Sequence, residues 1–323
     1  MADLAGQATT RAFHGDPTIK ADLLAAMGRG DPTPMVSSQQ VQLAAQPEAG
    51  EWAGRVGLPE ALVLLTAHLG GRFTAANPGG AFARDRVSAI EPGAPIEAAA
   101  HKLAIWAWEA APKPLLGMMT SEQFLSAGGE VAALHRRAAE GEDVTRGEWR
   151  TARATLGRLG RAEDDEDSDD QCLAATVMAA CAWDYRTTPG AAVDMYSAWE
   201  GLVAEGVRRA DGWGKAEDER LQRLIQEKRA LALQQIGPEP VGGDPDAATA
   251  HSRRLVGALL ELLNTSDDPM PGRKAALNEQ IGEARTTLRK QGCAALLGLV
   301  RTLATGGGLI LAPVSNAAEP HRS

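Results

Sequence analysis

Hardly any run of this chain alternates apolar and polar residues at period two, so a half-buried β-strand has almost nowhere to form. Apolar residues recur instead at three- and four-residue intervals. Alanine, the best helix former, is plentiful and β-branched residues are sparse. These patterns predict an all-α protein, an irregular multi-helix bundle with an alanine-rich central helix and little or no sheet.

The densest patterning lies between Leu58 and Met119. Pro59 opens a helix at the position where a missing backbone donor does no harm, and Leu62, Leu65 and Leu69 form its apolar stripe. Gly70-Gly71 stops it, and Asn77-Pro78-Gly79-Gly80 reads as a loop. A second helix is expected from Pro95, with Ile96, Ala99, Leu103 and Trp106 on one face. It ends before Pro112 and Pro114. Two helices joined by a long loop would pack Trp106 or Trp108 on the leucine face. Burying one such aromatic is worth roughly 2–3 kcal/mol.

Before this nucleus, residues 1–12 read as a disordered tail, and Asp16 caps a helix running through Met27. Residues 31–50 read as a polar, proline-punctuated linker. After it, Thr120 with Gln123 and then the stretch Asp143 to Thr145 before Trp149 signal two capped helices. Glu163 to Asp170 holds seven carboxylates in eight residues and reads as a solvated loop. The alanine-rich helix Gln171–Tyr185 follows, apolar nearly all round and expected at the centre of the bundle. Lys215–Ile236 reads as the longest uninterrupted helix. Gly237 to Asp246 is rich in proline and glycine and predicts a linker. Beyond it the pattern gives helices over 251–263, 273–290 and 293–303, then a short strand-like run, Leu309–Val314. The expected division is a helical domain over 13–236, a linker over 237–246 and a small helical region over 247–323 with a disordered end.

A net charge of −9 argues against a general nucleic-acid surface, although a local basic patch is compatible with it. The arginine–arginine doublets are Arg136-Arg137, Arg208-Arg209 and Arg253-Arg254. Three scattered cysteines form neither a disulfide framework nor a four-thiolate zinc site. No apolar run suits a membrane span, and the first residues lack the core of a signal peptide. A cytoplasmic protein is expected.

No stretch carries a complete catalytic motif. The acidic run fails as an EF-hand, since its sixth position is Asp169 and its twelfth Ala175. The glycine-rich stretches at 77–80 and 305–308 lack the lysine of a P-loop. The residue types with chemical potential are His14 and Asp16, a candidate catalytic corner, and His68 and His101, candidate metal ligands if their helices face each other. No cofactor is indicated.

The segment Ala12-Phe13-His14-Gly15-Asp16-Pro17-Thr18-Ile19-Lys20 resembles the opening of a group of uncharacterised bacterial, phage and prophage proteins. The likeness resumes at Trp52, continues through Val56-Gly57-Leu58-Pro59, and includes Ala89-Ile90-Glu91-Pro92-Gly93-Ala94 and Leu103-Ala104-Ile105-Trp106. It covers about residues 12–160. Similar chains carry a Gly-Cys-x-x-Gly-Cys stretch before the tryptophan, which this chain lacks. The resemblance implies phage or mobile-element ancestry and no particular activity. The function expected from all of this is contact with a protein partner or with another copy of the chain. The alternative is a metal-dependent hydrolase using His14, Asp16 and His68 or His101.

Overall fold

The computed structural model describes residues 11–29, 47–70, 78–161, 169–238 and 245–305. Among these the protein is all-α, with no strand. The helices are α1 (Pro17–Arg29), α2 (Pro47–Val56), α3 (Glu60–Gly70), α4 (Pro78–Ala89), α5 (Ala99–Glu109) and α6 (Glu122–Ala139). They continue with α7 (Arg146–Leu159), α8 (Asp169–Cys181), α9 (Ala191–Ala210), α10 (Lys215–Ile236), α11 (Pro245–Asn264) and α12 (Met270–Ala304). A 3-10 turn, Ala12–Gly15, precedes α1. The expected tail, most of the 31–50 stretch, the body of the acidic run, the centre of the 237–246 linker and the strand-like Leu309–Val314 lie outside the described residues.

Several boundaries differ from the sequence expectation for physical reasons. The stretch after Asn77 is helix α4, with Pro78 at its first position, where its missing N–H is harmless. Ser121, one residue after Thr120, caps α6 by accepting from Phe124 N. At α7 the capping box is complete, Thr145 and Glu148 each bonding the other's backbone N–H. Residues 270–304 form one helix of 35 residues, longer than α10.

The chain divides into two compact units, Met1–Leu202 with Thr286–Ser323, and Val203–Arg285. The division falls within α9 and α12 and not at 237–246. The proline- and glycine-rich stretch joins α10 to α11, which pack on each other within the second unit. His251 Nε2 donates to the carbonyl of Gly237 at 3.0 Å and ties that pair together.

In the first unit α3 is buried from Ala61 to Gly70. It is apolar on every side, which suits a helix surrounded by others. α3 packs on α2, α4 and α5, and the path continues from α5 to α6, α6 to α7 and α7 to α8. Trp106 and Trp108 are both buried. The alanine-rich helix α8 is less central than its composition suggests. Ala174, Ala175, Met178 and Cys181 are buried, yet Thr176 is exposed and Ala179 and Ala180 are half-buried. A methyl side chain offers little apolar area to hide, so an alanine face tolerates partial exposure.

Gly292 lies inside α12 because α9 leaves no room for a side chain there. A Cβ on it would sit 1.8 Å from the Tyr196 hydroxyl. Tyr196 is fully buried and donates to the Leu288 carbonyl at 3.1 Å. The second unit has its own core, Trp213, Met270 and Leu277, with Leu221, Leu224 and Ile281 against it. Trp213 Nε1 donates to Asp218 Oδ1 at 2.8 Å. Gly292→Ala should therefore destabilise the protein by roughly 1–3 kcal/mol through overpacking. A thermal melt followed by circular dichroism should show the lowered Tm, and an unchanged melt would contradict the close approach.

Candidate functional site

The residues around His14 build a pocket from strained backbone. Phe13 and His14 have φ of 54° and 52°, in the left-handed region, followed by Gly15 at 78°. Non-glycine residues persist there only when their surroundings fix them. The fixation is visible. Phe13 is fully buried, its N–H donates to Gly57 O at 3.2 Å, and Gly93 N–H donates to Ala12 O at 2.7 Å. Gly57 has φ of 64°, and a Cβ on it would meet His14 N at 2.6 Å. The turn thus presents His14 to solvent, with Nε2 donating to the Gly54 carbonyl at 2.9 Å. That bond leaves Nδ1 as the acceptor of the neutral ring.

His14 lines a cavity of about 610 Å³ together with Glu60, Glu97, Tyr185 and Arg186. Burial raises the Glu60 carboxyl above its ordinary range. Arg186 is held in place by Asp184, its Nη2 2.7 Å from Oδ2 and its Nε 2.9 Å from Oδ1. This fork-to-fork pairing raises the guanidinium pKa, and at Asp184 burial is outweighed by the neighbouring His101 and Arg186 together, so its pKa falls. Asp16 does not line the cavity. Its Oδ1 accepts from Thr18 N at 2.8 Å as the cap of α1, and those bonds to Thr18 lower its pKa.

His68 and His101 do not come together on one ligand set. His68 Nε2 lies 3.3 Å from Glu200 Oε1, without hydrogen-bond alignment, and its ring meets Tyr196 edge-on. Glu200 is held by Arg289, whose Nη2 is 2.6 Å from Oε2, and its carboxyl stays at about 2 because these partners outweigh burial. Among the described residues no three His, Cys, Asp or Glu side chains converge where a metal ion could be held.

His101 pairs instead with His135, a residue the sequence motifs do not single out. Their Nδ1 atoms are 2.9 Å apart, and both rings are buried. His135 Nε2 is 3.1 Å from the Cys181 carbonyl, which can only accept, so that nitrogen carries the proton. His135 Nδ1 is then an acceptor and His101 Nδ1–H the donor. His101 Nε2 faces Asp184 Oδ1 at 3.5 Å. Around His135 stand Trp108, Trp149 and Tyr185, with ring centroids 4.6, 4.7 and 4.9 Å away. The signal for His135 was its spacing, four residues after Val131 and three before Ala138 on the apolar face of α6.

The second unit presents a different kind of site. α10 packs on α11, and among the described residues part of the apolar surface of α11 stays exposed. Val256 and Leu260, one helical turn apart on α11, are 55% and 54% exposed, and Leu231 on α10 is 39% exposed. Leu255, Leu259 and Leu263 beside them are only half-buried. No helix among the described residues is long and apolar enough to cross a membrane. Comparison with protein-family models, curated proteins and solved structures gave no match.

Burial pushes His101 below the ordinary 6.5 and His135 well below it, and at His135 the neighbouring ring adds to the shift. The fold therefore binds fewer protons than the unfolded chain, and its stability is lost as pH falls below about 6.5. The slope should approach about 1.4 kcal/mol per pH unit for each histidine. The carboxylates of Asp184 and Glu200, with depressed pKa values, contribute stability that is lost only below their unfolded range, in a separate and more acidic window. Urea unfolding at pH 7.5, 6.5 and 5.5 should show a falling free energy. A flat profile would contradict the buried neutral pair.

Proposed function

We propose that the protein acts through protein–protein contacts, joining a second copy of itself by the uncovered face of α11. The observation that carries this is the exposed pair Val256 and Leu260, flanked by half-buried leucines. A two-helix layer cannot bury both of its apolar faces, and a second hairpin laid against it completes a four-helix arrangement. Charge supports a self-contact. Between Lys215 and Asn264 the chain has seven basic and eight acidic side chains, so this segment is close to neutral in a chain of net charge −9. Two copies meeting here escape most of the repulsion that the whole chain would impose. A phage or mobile-element ancestry is part of the reading and rests on the resemblance around Ala12–Lys20.

A second reading, hydrolysis of a small substrate, rests on the cavity that His14 lines together with Glu60 and Glu97. Here Glu60, with its raised pKa, would take the part first given to Asp16. His14→Ala and Glu60→Gln should then abolish turnover of a responsive ester or phosphoester. No turnover by the wild-type protein across such a panel would remove this reading.

The self-contact is tested by light scattering across a concentration series. The wild-type chain should pass from monomer to dimer. Val256→Glu with Leu260→Glu should weaken the dimer by about 100-fold or more, since each buried aliphatic side chain contributes roughly 2 kcal/mol. Both residues are exposed, so the variant's monomer should keep its helical spectrum. A wild-type chain that stays monomeric at the highest reachable concentration would overturn the proposal.

A further inference from the structure

The arginines of α7 are spaced by helical turns and not as doublets, so the sequence conceals the face they form. Arg146, Arg150 and Arg153 stand at i, i+4 and i+7 on α7, one row about 10 Å long, and Arg161 follows two residues beyond the helix end. The last three line a groove of about 470 Å³ whose other wall is Thr176, Ala180 and Trp183.

The groove holds its guanidinium groups in defined places. Arg153 is stacked 3.5 Å from the Trp183 ring centroid, and its Nη1 donates to the Ala182 carbonyl at 3.0 Å. Arg161 folds back along the floor: a Cβ added to Gly157 would lie 3.8 Å from its Nη1. Among the described residues no carboxylate lines the groove. Arg150, Arg153 and Arg161 form no ion pair among the described residues, and Glu148, the acidic residue of α7, is engaged by Arg137. Arg150 lies close enough for its charge, with burial, to lower the Arg153 pKa. Like charges gathered with no counter-charge among the described residues repel one another, and an anion in the space between them relieves that repulsion.

We infer that this groove binds the phosphate backbone of a single-stranded nucleic acid. Planar guanidinium forks match phosphate oxygens in pairs, which a point-charge lysine does not. A row of them suits a chain of phosphates better than one phosphate group. A groove between two helices admits a single strand, and the adjoining indole provides an apolar edge for a base. The acidic remainder of the chain confines such binding to this row.

The test is fluorescence anisotropy of a labelled oligothymidylate against the full chain over a series of salt concentrations. Arg150→Gln with Arg161→Gln removes two exposed guanidiniums and leaves the stacked Arg153 in place. The double variant should bind at least about 10-fold more weakly, and its dependence of log Kd on log salt should be shallower by roughly 1.4, two phosphate contacts at about 0.7 each. Circular dichroism should show the same helical content in both proteins. Four results would overturn the inference: no wild-type binding at low salt, equal binding by the variant, displacement by inorganic phosphate at the same concentration of phosphate groups, or displacement by an oligoglutamate as effective as by unlabelled strand.

Discussion

The hydrogen bond between His101 and His135 fixes how α5, α6 and the segment after α8 must meet. The 2.9 Å contact joins two buried imidazoles, and only one arrangement of their protons satisfies the carbonyl of Cys181 as well. A buried polar group left without a partner costs about 1–3 kcal/mol, so neither ring can turn away without loss. The enclosing rings of Trp108, Trp149 and Tyr185 exclude water and fix the ring orientations. The same low-polarity surroundings that strengthen the bond also keep both histidines neutral. Protonation therefore works against the fold at its centre.

This core pair reaches the surface through Asp184. The carboxylate stands between His101 on the inside and Arg186 on the outside, and Arg186 and Tyr185 both line the cavity beside His14. The rigid polar chain behind the cavity and the strained turn in front of it have opposite origins. One is held by buried hydrogen bonds, the other by the burial of Phe13 and the absence of a side chain at Gly57. A second buried carboxylate, Glu200, performs a similar service between α3, α9 and the middle of α12, with Arg289 as its hydrogen-bond partner. Replacing one member of such a pair leaves the other charged and buried, which is costlier than the pair itself is worth.

Three surfaces follow from this frame: the His14 cavity, the arginine row of α7, and the apolar flank of α11. Each combines what the helices leave over after packing. α7 spends Trp149, Ala152 and Leu156 on the core, and the arginines remain on a neighbouring face. α11 has an apolar face wider than one partner helix can cover, so Val256 and Leu260 remain outside.

Much of the fold was legible in the chain itself. The missing period-two alternation argued against a sheet, the apolar stripes placed α3 and α5, and the extent of α10 was read to the residue because caps and breakers act locally. Asp16 was recognisable as a cap for the same reason, and the stretch Asp143 to Thr145 held the cap of α7 at Thr145. The sequence alone could not say which faces meet. His101 and His135 are 34 positions apart, and no spacing rule links residues on different helices. Gly292 is the place where Tyr196 needs the room, a fact that exists only once α9 and α12 are packed. His68 parts from His101 because their helices turn those side chains toward different carboxylates, Glu200 and Asp184. Local backbone chemistry wrote the helices; the burial of a few polar side chains decided how they came together.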